Sequence, residues 1–247
     1  MTQAASMTDA GILYLDRVEE ILDDVRRTQW PRIRQAAALV AEAIAGGHEV
    51  HAFGTGHSHM LAEELFYRAG GLVRVRPLLF EGLMLHASAP LSTALERLPG
   101  LADALVADHG VHAGDVVIVA SNSGGNAVTT ELVRSVHERG AVVIAVTSIA
   151  HATSEAARDS GLPRLHEAAD IVIDNGGAVG DAAVDIPGVP RRVGPTSTVA
   201  GAAILNAVVV QTAGLLADRG VVPEIYASSN TREGDAINAG FAPGAAA

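Results

Sequence analysis

The chain has 247 residues, of which 49% are hydrophobic and 18% charged, enough apolar material for a packed core and too much for a disordered chain. It contains no cysteine, which excludes disulfides, iron–sulfur clusters and thiolate zinc sites. All 17 basic residues are arginine, which excludes a Walker P-loop and lysine Schiff-base chemistry, and a net charge of -11 with 3% aromatics argues against nucleic-acid partners.

The first element is a helix over 8–28, with Tyr14, Leu15, Val18, Ile21, Leu22 and Val25 at three- and four-residue spacing. Trp30-Pro31 ends it, and a second helix from Arg32 to Ala45 stops at Gly46-Gly47. From His48 the pattern changes. A strand to Phe53 leads into Gly54-Thr55-Gly56-His57-Ser58 and a helix over 59–68. Strand Val73 to Leu79 ends near Glu81, and residues 92–109 read as one helix. Strand Asp115 to Ala120 runs into Ser121-Asn122-Ser123-Gly124-Gly125-Asn126, followed by helix 127–139 and strand 141–147. A short strand spans Ile171 to Asp174, 178–195 reads as a loop, 197–217 as a long apolar helix, and the tail after Pro223 as an extended polar arm. Short apolar strands alternating with helices predict an α/β fold, a three-layer doubly wound parallel sheet with the flavodoxin-like order 2-1-3-4-5. The organisation expected is a helical extension over 1–47, the α/β domain over 48–220 and a C-terminal arm over 221–247.

Ligands of such sheets bind at the carboxyl ends of the strands, which places Gly54–Ser58 beside Ser121–Asn126. Four Ser and Asn side chains with two glycines before a helix suit a phosphate monoester: hydroxyls and amides donate, glycine admits close approach, and the helix presents its positive end. An ordinary helix cap needs only one such residue. Gly54-Thr55-Gly56 begins like a dinucleotide fingerprint, but position 59 is His, so the spacing fails.

The two loops, with the strand Val142 to Thr147-Ser148 and Pro195-Thr196-Ser197-Thr198 opening the long helix, resemble the sugar isomerase (SIS) family of phosphosugar-binding domains over most of 35–220. Within it the chain is similar to N-acetylglucosamine 6-phosphate dehydratases and N-acetylmuramic acid 6-phosphate etherases, although no Thr-Ser-Gly-Arg follows Gly56 as in the etherases. The resemblance implies that Ser121, Asn122, Ser123 and Asn126 hold a phosphate, and that Thr55, Gly56, Ser58, Thr196, Ser197 and Thr198 meet the sugar. It also implies a Glu base with a His for ring opening.

Glu81 at the end of the second strand, with His86 five residues on, is the first candidate pair, and Glu64 and His57 come next. His151 has no supporting pattern, and His109, His112, His137 and His166 read as surface positions. No HExxH or carboxylate cluster is present, so no metal and no cofactor are expected. The reaction expected is dehydration of N-acetylglucosamine 6-phosphate, a hydro-lyase activity. The alternatives are an aldose–ketose isomerase or a non-catalytic phosphosugar sensor. Sensors of this family carry a DNA-binding helical domain, whereas the extension here is short and acidic. Residues 1–10 lack a basic, apolar leader, and the longest apolar runs, such as Val116 to Ala120, are too short to span a bilayer. A cytoplasmic homodimer or higher homo-oligomer is therefore expected, with a sugar phosphate as ligand and no membrane partner.

Overall fold

The computed structural model describes residues 9–241. Five parallel strands, β1 (Val50–Gly54), β2 (Val75–Pro77), β3 (Val116–Ala120), β4 (Val142–Thr147) and β5 (Ile171–Asp174), form one sheet in the order β2-β1-β3-β4-β5, as expected. Their side chains alternate between two buried faces. Val116, Ile118 and Ile144 pack with Ile33, Val40, Leu61, Ile204 and Leu205 on one face. Val117, Val119 and Val143 pack with Val106, Leu132, Val136 and Leu165 on the other. Burying each such side chain contributes about 1.5–3 kcal/mol, so a strand with two apolar faces is stable only with helices on both.

Helices α1 (Ala10–Thr28) and α2 (Trp30–Ala45) adjoin at Gln29, with Pro31 in the first turn of α2, where its missing N–H costs nothing. α2 puts Ala36, Ala37 and Val40 into the same core as the strands, so the helical extension and the sheet share one interior. α3 (His59–Leu65) ends earlier than its sequence suggests, before Tyr67 at a φ of 45°. The predicted helix over 92–109 is two helices, α4 (Ala89–Leu95) and α5 (Leu101–Asp108), separated at Pro99-Gly100. α6 (Ala127–Glu138) covers one face, and the short helices α7 (Ile149–Ala152) and α8 (Leu165–Ala168) follow.

Two expectations fail in the last third. The predicted loop over 178–195 contains an antiparallel hairpin, β6 (Ala182–Val184) with β7 (Val193–Pro195). The predicted extended arm folds back: Ile225 bridges to Leu72, and helix α10 (Arg232–Ala239) follows. Thr231 caps α10 by accepting from Gly234 N–H at 3.0 Å. Asn238 both accepts from and donates to the backbone of Ala227, at 2.9 and 3.0 Å. Tyr226 lies edge-on to Tyr67 with ring centroids 4.9 Å apart. The Ile225–Leu72 and Tyr226–Tyr67 pairings are long-range, and a polar, Gly-rich tail gives no local sign of them.

Helix α9 (Ser197–Asp218) is 22 residues long, and by length and mean hydropathy it could cross a membrane, contrary to the reading of short apolar runs alone. In this fold it packs against α2 and α3, with Ile204, Leu205, Val208 and Val209 in the core.

At the amino ends of the strands, Asp115 accepts N–H groups from Glu49 (3.0 Å) and His112 (2.8 Å) and lies 3.3 Å from His51 Nε2. Burial pushes the His51 imidazole below its ordinary 6.5, against the upward pull of Asp115. Burial alone would raise Asp115, but the His112 and Glu49 N–H groups and His51 outweigh it and hold the carboxyl below 3.8. The folded chain therefore resists a proton that the unfolded chain takes up below about pH 6.5, so this contribution to stability is present above that pH and is lost as pH falls. Thermal melts from about pH 7.5 down to about pH 5 should show a falling midpoint, and His51→Gln should flatten that slope.

Candidate active site

The β1–β3 pairing is parallel and in register, with Gly54 opposite Ala120, so the turns after both strands open side by side. After Gly54 the chain doubles back so tightly that a Cβ there would collide with the Ser58 carbonyl. After Ala120, Ser121 N–H donates to Val146 O at 3.1 Å, and the Ser121 hydroxyl accepts from Gly124 N–H at 3.1 Å. Gly125 is pressed against the next loop, where a Cβ would meet the Arg158 carbonyl oxygen.

These turns line an open cleft of about 300 Å³. Of the residues singled out from sequence, Thr55, Gly56, His57 and Ser58 line one side, Ser121, Asn122, Ser123 and Asn126 the other, and Ser197 a third. Asn122 Oδ1 accepts from Asn175 Nδ2 at 3.0 Å, which leaves the donor end of its amide for a ligand. Asn126 precedes α6 but its side chain makes no capping bond, and among the described residues its buried Oδ1 has no partner. A simple cap would use that oxygen on the first turn of the helix. Thr196 is fully buried, its hydroxyl also without a partner among the described residues, and neither it nor Thr198 lines the cleft.

Glu81, His86 and Glu64 do not line the cleft either. After β2 the chain makes a short 3-10 turn over Glu81–Leu83 that buries Leu83 and Met84 and leaves Glu81 and His86 exposed. The apolar residues take the interior, and the Ser92 hydroxyl fixes the turn by donating to Leu83 O at 2.8 Å. The His86 ring lies edge-on to His59, with centroids 5.9 Å apart. Glu64 is paired with Arg68 at 2.8 Å and accepts from Asn206 Nδ2 at 2.9 Å.

Three chemically capable residues that sequence reasoning did not select complete the cleft: Glu96, His151 and Asp181. Glu96 caps the carboxyl end of α4, accepts the Thr55 hydroxyl at Oε2 (3.0 Å), and through its backbone carbonyl accepts Val128 N–H at 3.2 Å. It thus ties both turns together and leaves Oε1 unengaged by Thr55. His151 Nδ1 accepts Gly180 N–H at 3.0 Å, so the neutral ring carries its proton on Nε2. Asp181 is held at the start of α9. Glu96 lies within the 92–109 helical pattern and Asp181 within the 178–195 loop pattern, neither with a local signal of its own, so only the distances distinguish them. Among the described residues no arginine lines the cleft, and no three His, Asp or Glu side chains are grouped to hold a metal ion.

The SIS domain family matches residues 13–148. The chain belongs to the SIS-domain family. Among its relatives, UPF0309 protein BH0227 of Halalkalibacterium halodurans is 42% identical over 225 residues, covering 91% of this chain and 90% of that one. UPF0309 protein Lm4b_02611 of Listeria monocytogenes is 38% identical over 225 residues, covering 91% of both. In fold, this SIS domain is similar to phosphoheptose isomerase GmhA from Neisseria gonorrhoeae, with a TM-score of 0.55 and 18% identity over 86% of this chain and 100% of that one. It is also similar to the sugar isomerase domain of the RpiR transcription factor from Sphaerobacter thermophilus, with a TM-score of 0.51 and 17% identity over 85% and 93% of the two chains.

The close approach of the Arg158 carbonyl to Gly125 is one of the contacts that hold the Ser121–Asn126 turn of this SIS domain. Gly125→Ala should destabilise the protein by about 1–3 kcal/mol through overpacking and open that turn. Chemical denaturation measures the first effect, and faster hydrogen exchange of the 121–126 amides the second.

Proposed function

We propose that the cleft binds a hexosamine 6-phosphate and removes its C2 proton, and that the reaction is dehydration of N-acetylglucosamine 6-phosphate. The observation that supports this reading is one cleft holding both the Ser121–Asn126 turn at the start of α6 and a carboxylate, Glu96. The phosphate would sit on the hydroxyls of Ser121 and Ser123, the Asn122 amide and the positive end of α6, with neutral donors in place of lysine or arginine. Binding energy from the phosphate, remote from C2, would position the reacting atoms.

Glu96 takes the role that the sequence suggested for Glu81. Its Oε1 would accept the C2 proton of the open-chain aldehyde, while Thr55 steadies Oε2. The enolate so formed would expel the C3 hydroxyl, which leaves as water with a proton from His151 Nε2–H or from His57 at the exposed rim. An aldose–ketose isomerisation shares the first step and returns the proton to C1, and the fold's likeness to a phosphoheptose isomerase favours it as a second reading.

Incubation with N-acetylglucosamine 6-phosphate should yield a product lighter by one water in mass spectrometry. A ketose of unchanged mass, with solvent deuterium incorporated, would select isomerisation, and unchanged substrate would refute both. Glu96→Gln should lower kcat by about 100-fold or more with KM little altered. Ser123→Ala should weaken binding of phosphorylated sugars and not of their unphosphorylated counterparts.

The expected homodimer would cover apolar side chains that α1 and α9 leave at the surface, among them Ile12, Leu13, Leu15, Val199 and Val210. Sedimentation at the mass of two chains or more is the outcome this predicts.

A further inference from the structure

Two helices begin at this cleft, α6 and α9, and each offers the positive end of a dipole to an anion. At α9 that place is already taken by a carboxylate of the chain itself. Asp181 Oδ1 accepts N–H of Thr196 at 3.1 Å and of Ser197 at 2.9 Å, and Oδ2 accepts the Ser197 hydroxyl at 2.6 Å. Asp181 reaches this position from a left-handed backbone, φ 68°, one of two positive-φ residues other than glycine among the described residues. Aspartate and asparagine adopt that conformation more readily than most side chains do. At α6, by contrast, the Asn126 side chain makes no capping bond, and among the described residues the first turn donates to the Glu96 backbone carbonyl rather than to a carboxylate. The cleft is therefore lined by the donor-rich turn Ser121–Asn126 and also by two carboxylates, Asp181 and Glu96. Among the described residues no arginine lines this cleft itself, and Arg97 and Arg158, beside the start of α6, line an adjoining pocket that shares Asn126.

We infer that Asp181 sets the polarity and the charge limit of the ligand. The cleft takes a sugar with a single phosphate, seated on the α6 turn, and its far end is neutral and hydroxylated, with hydroxyls donating to Asp181 and accepting from groups such as His151 Nε2–H. Sugar bisphosphates and phosphorylated sugar acids are rejected because their second anion meets Asp181 in the place where a helix start would otherwise welcome it. This inference rests on the phosphosugar reading above and narrows its substrate class.

Isothermal titration with N-acetylglucosamine 6-phosphate and with fructose 1,6-bisphosphate tests it. The wild-type protein should bind the monophosphate at least about tenfold more tightly. Asp181→Asn keeps an acceptor for the α9 N–H groups and a side chain at ease in the left-handed region, and removes the charge. That variant should bind the bisphosphate about tenfold more tightly than wild type does, with no matching gain for the monophosphate. Ser197→Ala removes one hydrogen bond to the carboxylate but no charge, and should keep the wild-type preference. A wild-type protein that binds the bisphosphate as tightly as the monophosphate overturns the inference without recourse to any variant. So does an Asp181→Asn protein with unchanged preference, or a Ser197→Ala protein that loses it. A wild-type protein that binds the monophosphate but fails one of these tests leaves the phosphosugar reading standing, whereas one that binds neither sugar refutes that reading and this inference together.

Discussion

Gly54 on β1 lies opposite Ala120 on β3, and everything at the cleft depends on that parallel register. In a parallel pair the strands end at the same edge, so the turns that follow are neighbours although 66 residues separate them, a distance fixed by Gly54 and Ala120 being paired. The pairing is stable because each strand buries both faces: Ile118 and Val116 toward α2 and α9, Val117 and Val119 toward α5 and α6. A one-residue slip would exchange these sets and move Ser121 out of line with Thr55.

The cleft is electrostatically unusual for a protein of net charge -11. Its donors are neutral hydroxyls, amides and the start of α6, and its charged groups are the carboxylates of Glu96 and Asp181. A helix start and a cluster of hydroxyls suit an anion at one place only, because their field falls off within about a turn of the helix. Carboxylates elsewhere on the wall make the rest of the cleft suited to neutral, hydrogen-bond-donating surface. On the proposed reading these groups divide the work of binding a phosphorylated sugar: the Ser121–Asn126 turn would hold the charge, and the carboxylates would meet hydroxyls.

The loops that tie the cleft together are held by backbone contacts more than by side chains. Leu165 N–H donates to Gly124 O at 2.9 Å, the Arg158 carbonyl rests on Gly125, and the Glu96 carbonyl accepts from the first turn of α6. Glycine at 124 and 125 therefore admits another segment of chain, and neither lines the cleft. His51 and Asp115, at the opposite edge of the sheet, form a buried polar pair.

Local pattern carried the parts of this protein governed by short-range physics. Strand order, the two polar turns at β1 and β3, and the apolar helix after Thr196 were all legible, since apolar runs, glycine punctuation and helix periodicity depend on neighbours in sequence. Long-range packing chose among carboxylates that look alike in one dimension. Glu81 follows a strand and has the better pattern, yet burial of Leu83 and Met84 turns it outward, while Glu96 is brought to Thr55 from 41 positions away. The fold-back of Ile225 onto Leu72 was equally hidden, because its energy exists only once distant segments have met, and the β6–β7 hairpin and the seat of Asp181 on α9 were masked by the Gly- and Pro-rich composition of their segment.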